Sequence, residues 1–117
     1  PEQNLAESDD APPGEPVYVE SVDEFGELID RYDVVFVEFF AEWCGPCIAM
    51  EDDLEALATE TDAAVVKVDV DENQPLAGQY DVRGVPTMFL FAGGDPAERL
   101  VGMQSRHQLA ELIDDYS

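Results

Sequence analysis

The segment Val34-Val35-Phe36-Val37-Glu38-Phe39-Phe40-Ala41 carries one charged side chain among apolar residues, most of them β-branched or aromatic. Such residues suit a pleated, packed surface, and a short run of them reads as a buried strand. A strand with no polar face needs cover on both sides, so the rest of the chain must bring strands beside it and helices over each face.

The flanking sequence has that form. Val17-Tyr18-Val19 reads as a short strand, and Ser21-Val22-Asp23-Glu24 has the pattern of a helix capping box. The helix after it places Val22, Phe25, Leu28, Ile29 and Tyr32 on one face. A second helix is expected from Cys47 to Glu60, with Met50, Leu54 and Leu57 on one side. Ala64 to Val70 reads as another inner strand, and Asp71-Glu72-Asn73-Gln74-Pro75 opens a short helix ending near Tyr80. Thr87-Met88-Phe89-Leu90-Phe91 and Arg99-Leu100-Val101 form a hairpin across the Gly93-Gly94 turn signal. The last helix, from about Arg106, spaces Leu109, Leu112, Ile113 and Tyr116 helically. The order β-α-β-α-β-α-β-β-α predicts an α/β domain in which strands linked by helices pair in parallel and the hairpin adds an antiparallel edge, a mixed sheet with helices on both faces. Phe25, Phe39, Phe89 and Phe91 are expected in its core, and His107 and the four arginines on its surface.

Residues 1–16 stand apart. They contain Pro12, Pro13, Gly14 and Pro16 and five acids without a base, a composition that cannot bury a core. They are expected to be a disordered lead-in, leaving residues 17–117 as one domain.

The central strand runs into Trp43-Cys44-Gly45-Pro46-Cys47, which holds both cysteines of the chain. Two thiols two residues apart at a strand-to-helix junction can close a disulfide within one helical turn and open it again, the sequence form of a dithiol redox site. Cys44 sits just before the helix, where unpaired N–H groups and the helix dipole favour negative charge. Its pKa is therefore expected below the free value of about 8.5, since thiolates, not thiols, attack disulfides. Pro46 suits the first turn, where its missing N–H is no loss. A structural zinc site needs about four ligands, and His107, the only histidine, has no cysteine partner; no metal and no cofactor beyond the disulfide are expected.

Glu38 is the one acid of the apolar strand, and a lone buried carboxylate is costly. Lys67, the only lysine of the chain, lies within another apolar strand and is its candidate partner.

Charge bears on what surrounds the site. The chain has 28 acids against five lysines and arginines, a net charge of −23, and residues 17–117 keep 23 of those acids. Such an excess can attract a basic partner, aid solubility, or reflect adaptation to molar salt, and only the last also explains the near-absence of lysine. Self-repulsion on this scale opposes compaction in dilute buffer, whereas near 1 M salt the screening length falls to about 3 Å. An acidic surface argues against a nucleic-acid partner. No stretch has the roughly 18 apolar residues of a membrane span, and the start of the chain lacks the pattern of a secretory signal. A cytoplasmic monomer without a membrane partner is expected.

With these residues in view, the chain resembles the thioredoxin family. Trp43-Cys44-Gly45-Pro46-Cys47 is similar to its active-site motif, Phe36 to Glu42 to the strand before it, Val82-Arg83-Gly84-Val85-Pro86-Thr87 to its cis-proline loop, and Val101-Gly102 to the end of its last strand. The resemblance covers about residues 17–117 and implies the thioredoxin fold, a protein disulfide reductase, and a thioredoxin reductase and disulfide-containing target proteins as partners. It implies Cys44 as nucleophile, with a pKa near 7 as in reducing members, and Cys47 as the more buried resolving thiol. Pro86 is then cis beside the cysteine pair, and the Val85 backbone pairs with an extended target segment. Trp43, Gly45, Pro46, Gly84, Val85, Pro86, Gly102 and Met103 would form an apolar substrate-binding patch around an exposed sulfur.

In the family the acid and lysine lie together behind the second cysteine. Glu38 is then a proton relay to Cys47 with Lys67 as its partner, or else the two are a structural ion pair at a sheet edge. Four residues depart from the family pattern: Glu38 replaces a common aspartate, Phe40 a tryptophan, Ile48 a lysine, and Asp52 the proline that kinks the second helix. Two other readings stay open beside the reductase. One is a disulfide isomerase or oxidase of the same fold. The other is a binding or holdase module that uses the apolar patch without turnover.

Overall fold

The computed structural model describes residues 11–117, so residues 1–10 of the expected lead-in lie outside the described residues. Residues 11–16 form no helix or strand; Thr59 Oγ1 donates a hydrogen bond to the Gly14 carbonyl at 3.4 Å. The strands are β1 (Val17–Tyr18), β2 (Val34–Phe40), β3 (Ala64–Asp69), β4 (Thr87–Ala92) and β5 (Asp95–Val101). The helices are α1 (Val22–Arg31), α2 (Gly45–Ala49), α3 (Glu51–Glu60), α4 (Gln74–Gln79) and α5 (Arg106–Tyr116).

The five strands form one sheet in the order β1-β3-β2-β4-β5, with β2 at its centre and every residue of β2 buried. Side-chain alternation along β2 divides the core in two. Val35, Val37 and Phe39 pack with Phe25, Leu28 and Ile29 of α1 and Leu76 of α4. Val34 and Phe36 pack on the other face with Leu54 and Leu57 of α3 and Leu109 and Ile113 of α5. Each such side chain contributes about 1.5–3 kcal/mol on burial. This is the expected mixed sheet with helices on both faces. Among the described residues no helix is long and apolar enough to cross a membrane.

The structure corrects the sequence reading in three places. β1 and β2 both run parallel to β3, but β4, reached from β3 through a helix, runs antiparallel to β2. The reason is length. The six residues of α4 span only about 9 Å, against roughly 20 Å for a six-residue strand. The chain therefore re-enters the sheet at the end where β3 left it, placing Pro86 at the end of the sheet that carries Cys44.

The second correction concerns the helix expected from Cys47 to Glu60, which is broken at Met50. The Met50 N–H reaches back to the Pro46 and Cys47 carbonyls at 3.2 and 3.1 Å, while its own carbonyl accepts from Leu54 N–H at 2.9 Å and starts α3. Glu51, Asp52 and Asp53 fill the first turn of α3, where acids are favoured by the helix dipole. The break survives without the family's proline.

The third is Val22, which is exposed rather than on the buried face, because it opens α1 ahead of the turn that reaches the sheet. The Ser21 cap is present: Glu24 N–H donates to Ser21 Oγ at 3.0 Å. The reciprocal bond shifts by one residue, with Glu20 N–H donating to Glu24 Oε1 at 2.8 Å.

Candidate functional site

Past the end of β2 the chain turns, with Cys44 N–H donating to the Ala41 carbonyl at 3.1 Å, and Cys44 becomes the N-cap of α2. The Cys47 N–H donates to Cys44 Sγ at 3.2 Å, and Pro46 occupies the first turn. A disulfide joins the two cysteines, whose Cα atoms are 5.2 Å apart, inside the usual span for such a bond. The helical turn thus supplies the separation that the Cys-x-x-Cys spacing implied.

Burial departs from expectation. Cys44 is 4% exposed and Cys47 2%, so the two differ little and neither sulfur-bearing residue stands out from the surface. Phe40, Ala41, Val70 and Val85 pack around them. What stands out is Trp43, 71% exposed, with its indole Nε1–H donating to Asp71 Oδ2 at 2.9 Å. Asp71 escapes sequence reasoning, as one acid among many, 28 residues away along the chain.

Register explains the buried charges. Tyr18, Lys67, Glu38 and Met88 are successive partners across β1, β3, β2 and β4, so their side chains share one row on the α3 face of the sheet. Lys67 Nζ lies 3.5 Å from Glu38 Oε1, and Glu38 is wholly buried. That separation is longer than the 2.7–2.9 Å or so of a charge-assisted hydrogen bond, and among the described residues neither carboxylate oxygen has a hydrogen-bond partner. Burial raises the Glu38 pKa to about 7, with Lys67 restraining the rise and Glu51 adding to it.

The lysine has its own support. Nζ sits 4.5 Å from the Phe40 ring centre and 5.3 Å from that of the exposed Tyr18, two cation–π contacts of a kind worth about 0.5–1 kcal/mol at exposed sites and about 2 kcal/mol when desolvated. Phe40 thus replaces the family's tryptophan without loss of an aromatic face. Lys67 also borders a cavity of about 180 Å³ whose lining includes Glu51 and Glu55. The pair is therefore not at a sheet edge: it spans β3 and the central strand.

The second segment of the site is the loop from α4 to β4. The Val85–Pro86 peptide is cis, and Val85 packs against the cysteine cluster. Thr87 Oγ1–H donates to the Gly84 carbonyl at 2.6 Å, and Gly102 N–H donates to the Pro86 carbonyl at 2.8 Å. Gly102 has φ +89°, a backbone conformation costly for any residue with a Cβ, which turns the chain out of β5 toward Met103. Met103 and Val101 are exposed, as is Gly84. Val85 and Pro86 are thus tied to the cysteines and to Gly102, while Gly45 and Pro46 reach the site as part of α2 itself. On another side of the cysteines, Cys47 and Ile48 line a cleft of about 860 Å³ with Tyr18 and Phe40, edged by Glu20, Glu42 and Glu72. Among the described residues no cluster of three or more His, Cys, Asp or Glu is arranged to hold a metal ion.

The Thioredoxin family model matches residues 16–115. A thioredoxin of Chlorobaculum thiosulfatiphilum is 38% identical over 92 residues, covering 77% of this chain and 85% of the relative. A thioredoxin of Staphylococcus epidermidis is 42% identical over 85 residues, covering 71% and 82%. Among solved structures, a mutant thioredoxin from Halobacterium salinarum NRC-1 superposes with a TM-score of 0.88 at 50% identity, covering 92% of this chain and 95% of that one. A Plasmodium falciparum thioredoxin superposes with a TM-score of 0.77 at 33% identity, over 86% and 99%.

Proposed function

The chain belongs to the thioredoxin family and is a thiol–disulfide oxidoreductase that reduces protein disulfides; from that premise we propose how its residues divide the work. The observation that carries the reading is the Cys44–Cys47 disulfide at the N-cap of α2 with Val85 packed against it.

In the dithiol form Cys44 is the nucleophile. The Cys47 N–H that meets Cys44 Sγ in the disulfide would bond a thiolate more strongly, because charge-assisted hydrogen bonds are roughly twice as strong as neutral ones. The Cys44 thiolate attacks one sulfur of the target disulfide and expels the other, which takes up a proton. Cys47 then attacks Cys44 Sγ and expels the second target sulfur. The target gains two electrons and two protons, and the chain returns to its disulfide. A thioredoxin reductase restores the dithiol.

Cys47 must lose a proton in a buried setting. Glu38, with a pKa near 7, is poised to take it up and return it, and Lys67 holds the carboxylate in position. Trp43, Gly45, Pro46, Gly84, Gly102 and Met103 form the surface against which a target segment lies, with Pro86, expected in that patch but buried in the structure, lying beneath it, and the Val85 backbone pairing to the segment as a short added strand. Residues 17–117 make up the working domain.

The test is reduction of insulin by wild-type protein against a redox-dead variant, with the reduction potential measured alongside. A value near −270 mV, the reference for thioredoxin, supports a reductase, and one near −180 mV or above an isomerase or oxidant. Activity no higher than the variant's would leave only a binding module.

The relay has its own measurement. Glu38→Gln is expected to slow resolution of the mixed disulfide by about ten- to a hundredfold, toward the lower range of general-base effects. It should also flatten the rise of that step with pH around 7, where Glu38 loses its proton. Wild-type rates across pH in the variant would leave Glu38 a structural role only.

We read the acid excess as adaptation to a cytoplasm of molar salt, a reading supported by the single retained lysine and by the 50% identity to a thioredoxin from Halobacterium salinarum. The melting temperature is expected to rise from dilute buffer to molar KCl as repulsion is screened. A flat or falling curve in calorimetry would defeat that reading.

A further inference from the structure

In a chain with only four arginines, Arg99 is placed on neutral oxygen rather than on an acid. It lies on the edge strand β5, directly opposite Phe89 in the register with β4. Its Nη1–H donates to the Tyr80 carbonyl at 2.9 Å and its Nη2–H to the Asp81 carbonyl at 3.0 Å. The guanidinium carbon lies 5.1 Å from the Phe89 ring centre, and that ring packs in turn on Tyr80 at 5.4 Å. The two carbonyls belong to the end of α4. There Asp81 takes φ +56°, Asp81 N–H donates to the Gly78 carbonyl and Val82 N–H to the Ala77 carbonyl. This is the Schellman pattern, in which a left-handed residue, usually glycine, ends the helix. Here an aspartate takes that position, and the guanidinium fork holds the main chain on both sides of its peptide nitrogen.

Beyond Asp81 the chain enters the loop that carries Val85–Pro86. The far end of this loop is tied to the residue that follows the same edge strand, through Gly102 N–H and the Pro86 carbonyl. Strand β5 and its exit therefore grip the loop at both ends, by the Arg99 side chain at Tyr80–Asp81 and by the Gly102 main chain at Pro86. Just past the second tie, Thr87 Oγ1–H reaches back to the Gly84 carbonyl inside the loop.

We propose that Arg99 is a positioning residue for protein disulfide reduction: by clamping the end of α4 it sets where the Val85 backbone stands for an incoming target segment. This rests on the reading of Val85 as the pairing edge. The bonds run to neutral carbonyls and the stack to a neutral ring, so the clamp is largely spared the screening that weakens ion pairs between exposed side chains. Lysine cannot replace it fully, because an ammonium lacks the planar fork that meets two carbonyls at once.

Arg99→Gln and Arg99→Lys in the full chain provide the test, measured in molar KCl. With insulin as substrate, Arg99→Gln is expected to raise KM about tenfold, equivalent to roughly 1.4 kcal/mol of binding, with kcat within about twofold. Arg99→Lys should fall between. The pre-reduced variants should react with the small disulfide 5,5′-dithiobis(2-nitrobenzoate) at the wild-type rate, since that compound needs no strand pairing. Hydrogen exchange at the Asp81 and Val82 amides should quicken, with no change at β2. Equal slowing of insulin and the small disulfide would overturn the proposal, as would an unchanged KM with faster exchange, which makes the clamp purely structural. Should Arg99→Gln fail to fold, the lysine variant decides by the same criteria. If wild type fails to reduce insulin, the reductase reading falls and with it the role in target binding, while exchange still decides whether the clamp exists.

Discussion

Cys44→Ser is expected to lower insulin reduction by about three orders of magnitude or more, as removal of an essential nucleophile commonly does. A serine hydroxyl at the α2 N-cap can accept the same Cys47 N–H, so the helix start should persist and the fold with it. What goes is the thiolate, and with it the bond through which electrons pass. The paired variant Cys47→Ser should behave differently. It keeps the attacking sulfur and loses only the second step, so targets are expected to accumulate as mixed disulfides at Cys44. Mass spectrometry of the trapped species and an insulin assay check both statements. If Cys44→Ser kept a tenth of the wild-type rate, or if targets were trapped at Cys47 in that variant while Cys47→Ser trapped none, the order of the two thiols would have to be reversed or abandoned.

The second large effect is in stability. Lys67→Met leaves Glu38 buried without its countercharge, and breaking such a pair costs about 3–5 kcal/mol. The cost depends on pH, with a sign set by proton counting. The Glu38 pKa is raised from its ordinary 4.5 to about 7 in the folded protein, so between those values the folded state holds a proton that the unfolded state has lost. Stability then falls as pH rises across that window, by roughly 3 kcal/mol in all at 1.36 kcal/mol per pH unit. Below about pH 4.5 both states are protonated and the penalty is absent. Removing Lys67 removes the main influence that restrains the pKa, so the window extends above 7.

Denaturant unfolding of Lys67→Met in constant KCl should therefore show a small loss near pH 5 and a large one near pH 8.5. The Glu38→Leu/Lys67→Met double variant should regain most of that loss, since replacing both members of a buried pair by apolar groups is often neutral or better. An equal loss at both pH values would mean that Lys67 acts through its packing on Phe40 and Tyr18 and not through charge.

These cases show what a sequence exposes and what it conceals. Cys44 and Cys47 were legible because strand, turn and helix are local patterns, and the spacing itself sets the distance between the sulfurs. The Glu38–Lys67 pairing was legible because Glu38 is the lone charge of one apolar strand and Lys67, the only lysine of the chain, is set between the valines of another. The aromatic seat of Lys67 was not, since it joins Tyr18, Phe40 and Lys67 through a register that no local signal records. The break at Met50 was concealed for another reason: the familiar cue, proline, is absent, and the acids of the first turn of α3 mark a new start only once the chain is seen to bend. The direction of β4 hung on the length of α4, and a turn more or less of helix passes unnoticed in an apolar pattern. Arg99 is exposed, as expected of the arginines, but its role stayed hidden because its partners are main-chain oxygens, to which sequence gives no name.

The shortness of α4 has a consequence for how such a protein can be built upon. Because the chain re-enters the sheet at the end where β3 left it, Cys44, Pro86 and Gly102 gather at one pole of the sheet. The Gly93–Gly94 turn lies at the other pole, where Gly93 N–H donates to the Asp33 carbonyl, and Pro12 and Ser117 line one cavity there with Asp33 and Asp62. The disulfide lies at the first of these poles. A tag, a linker or a neighbouring module attached at the second would hang a full strand length away from the sulfurs and leave them unshaded.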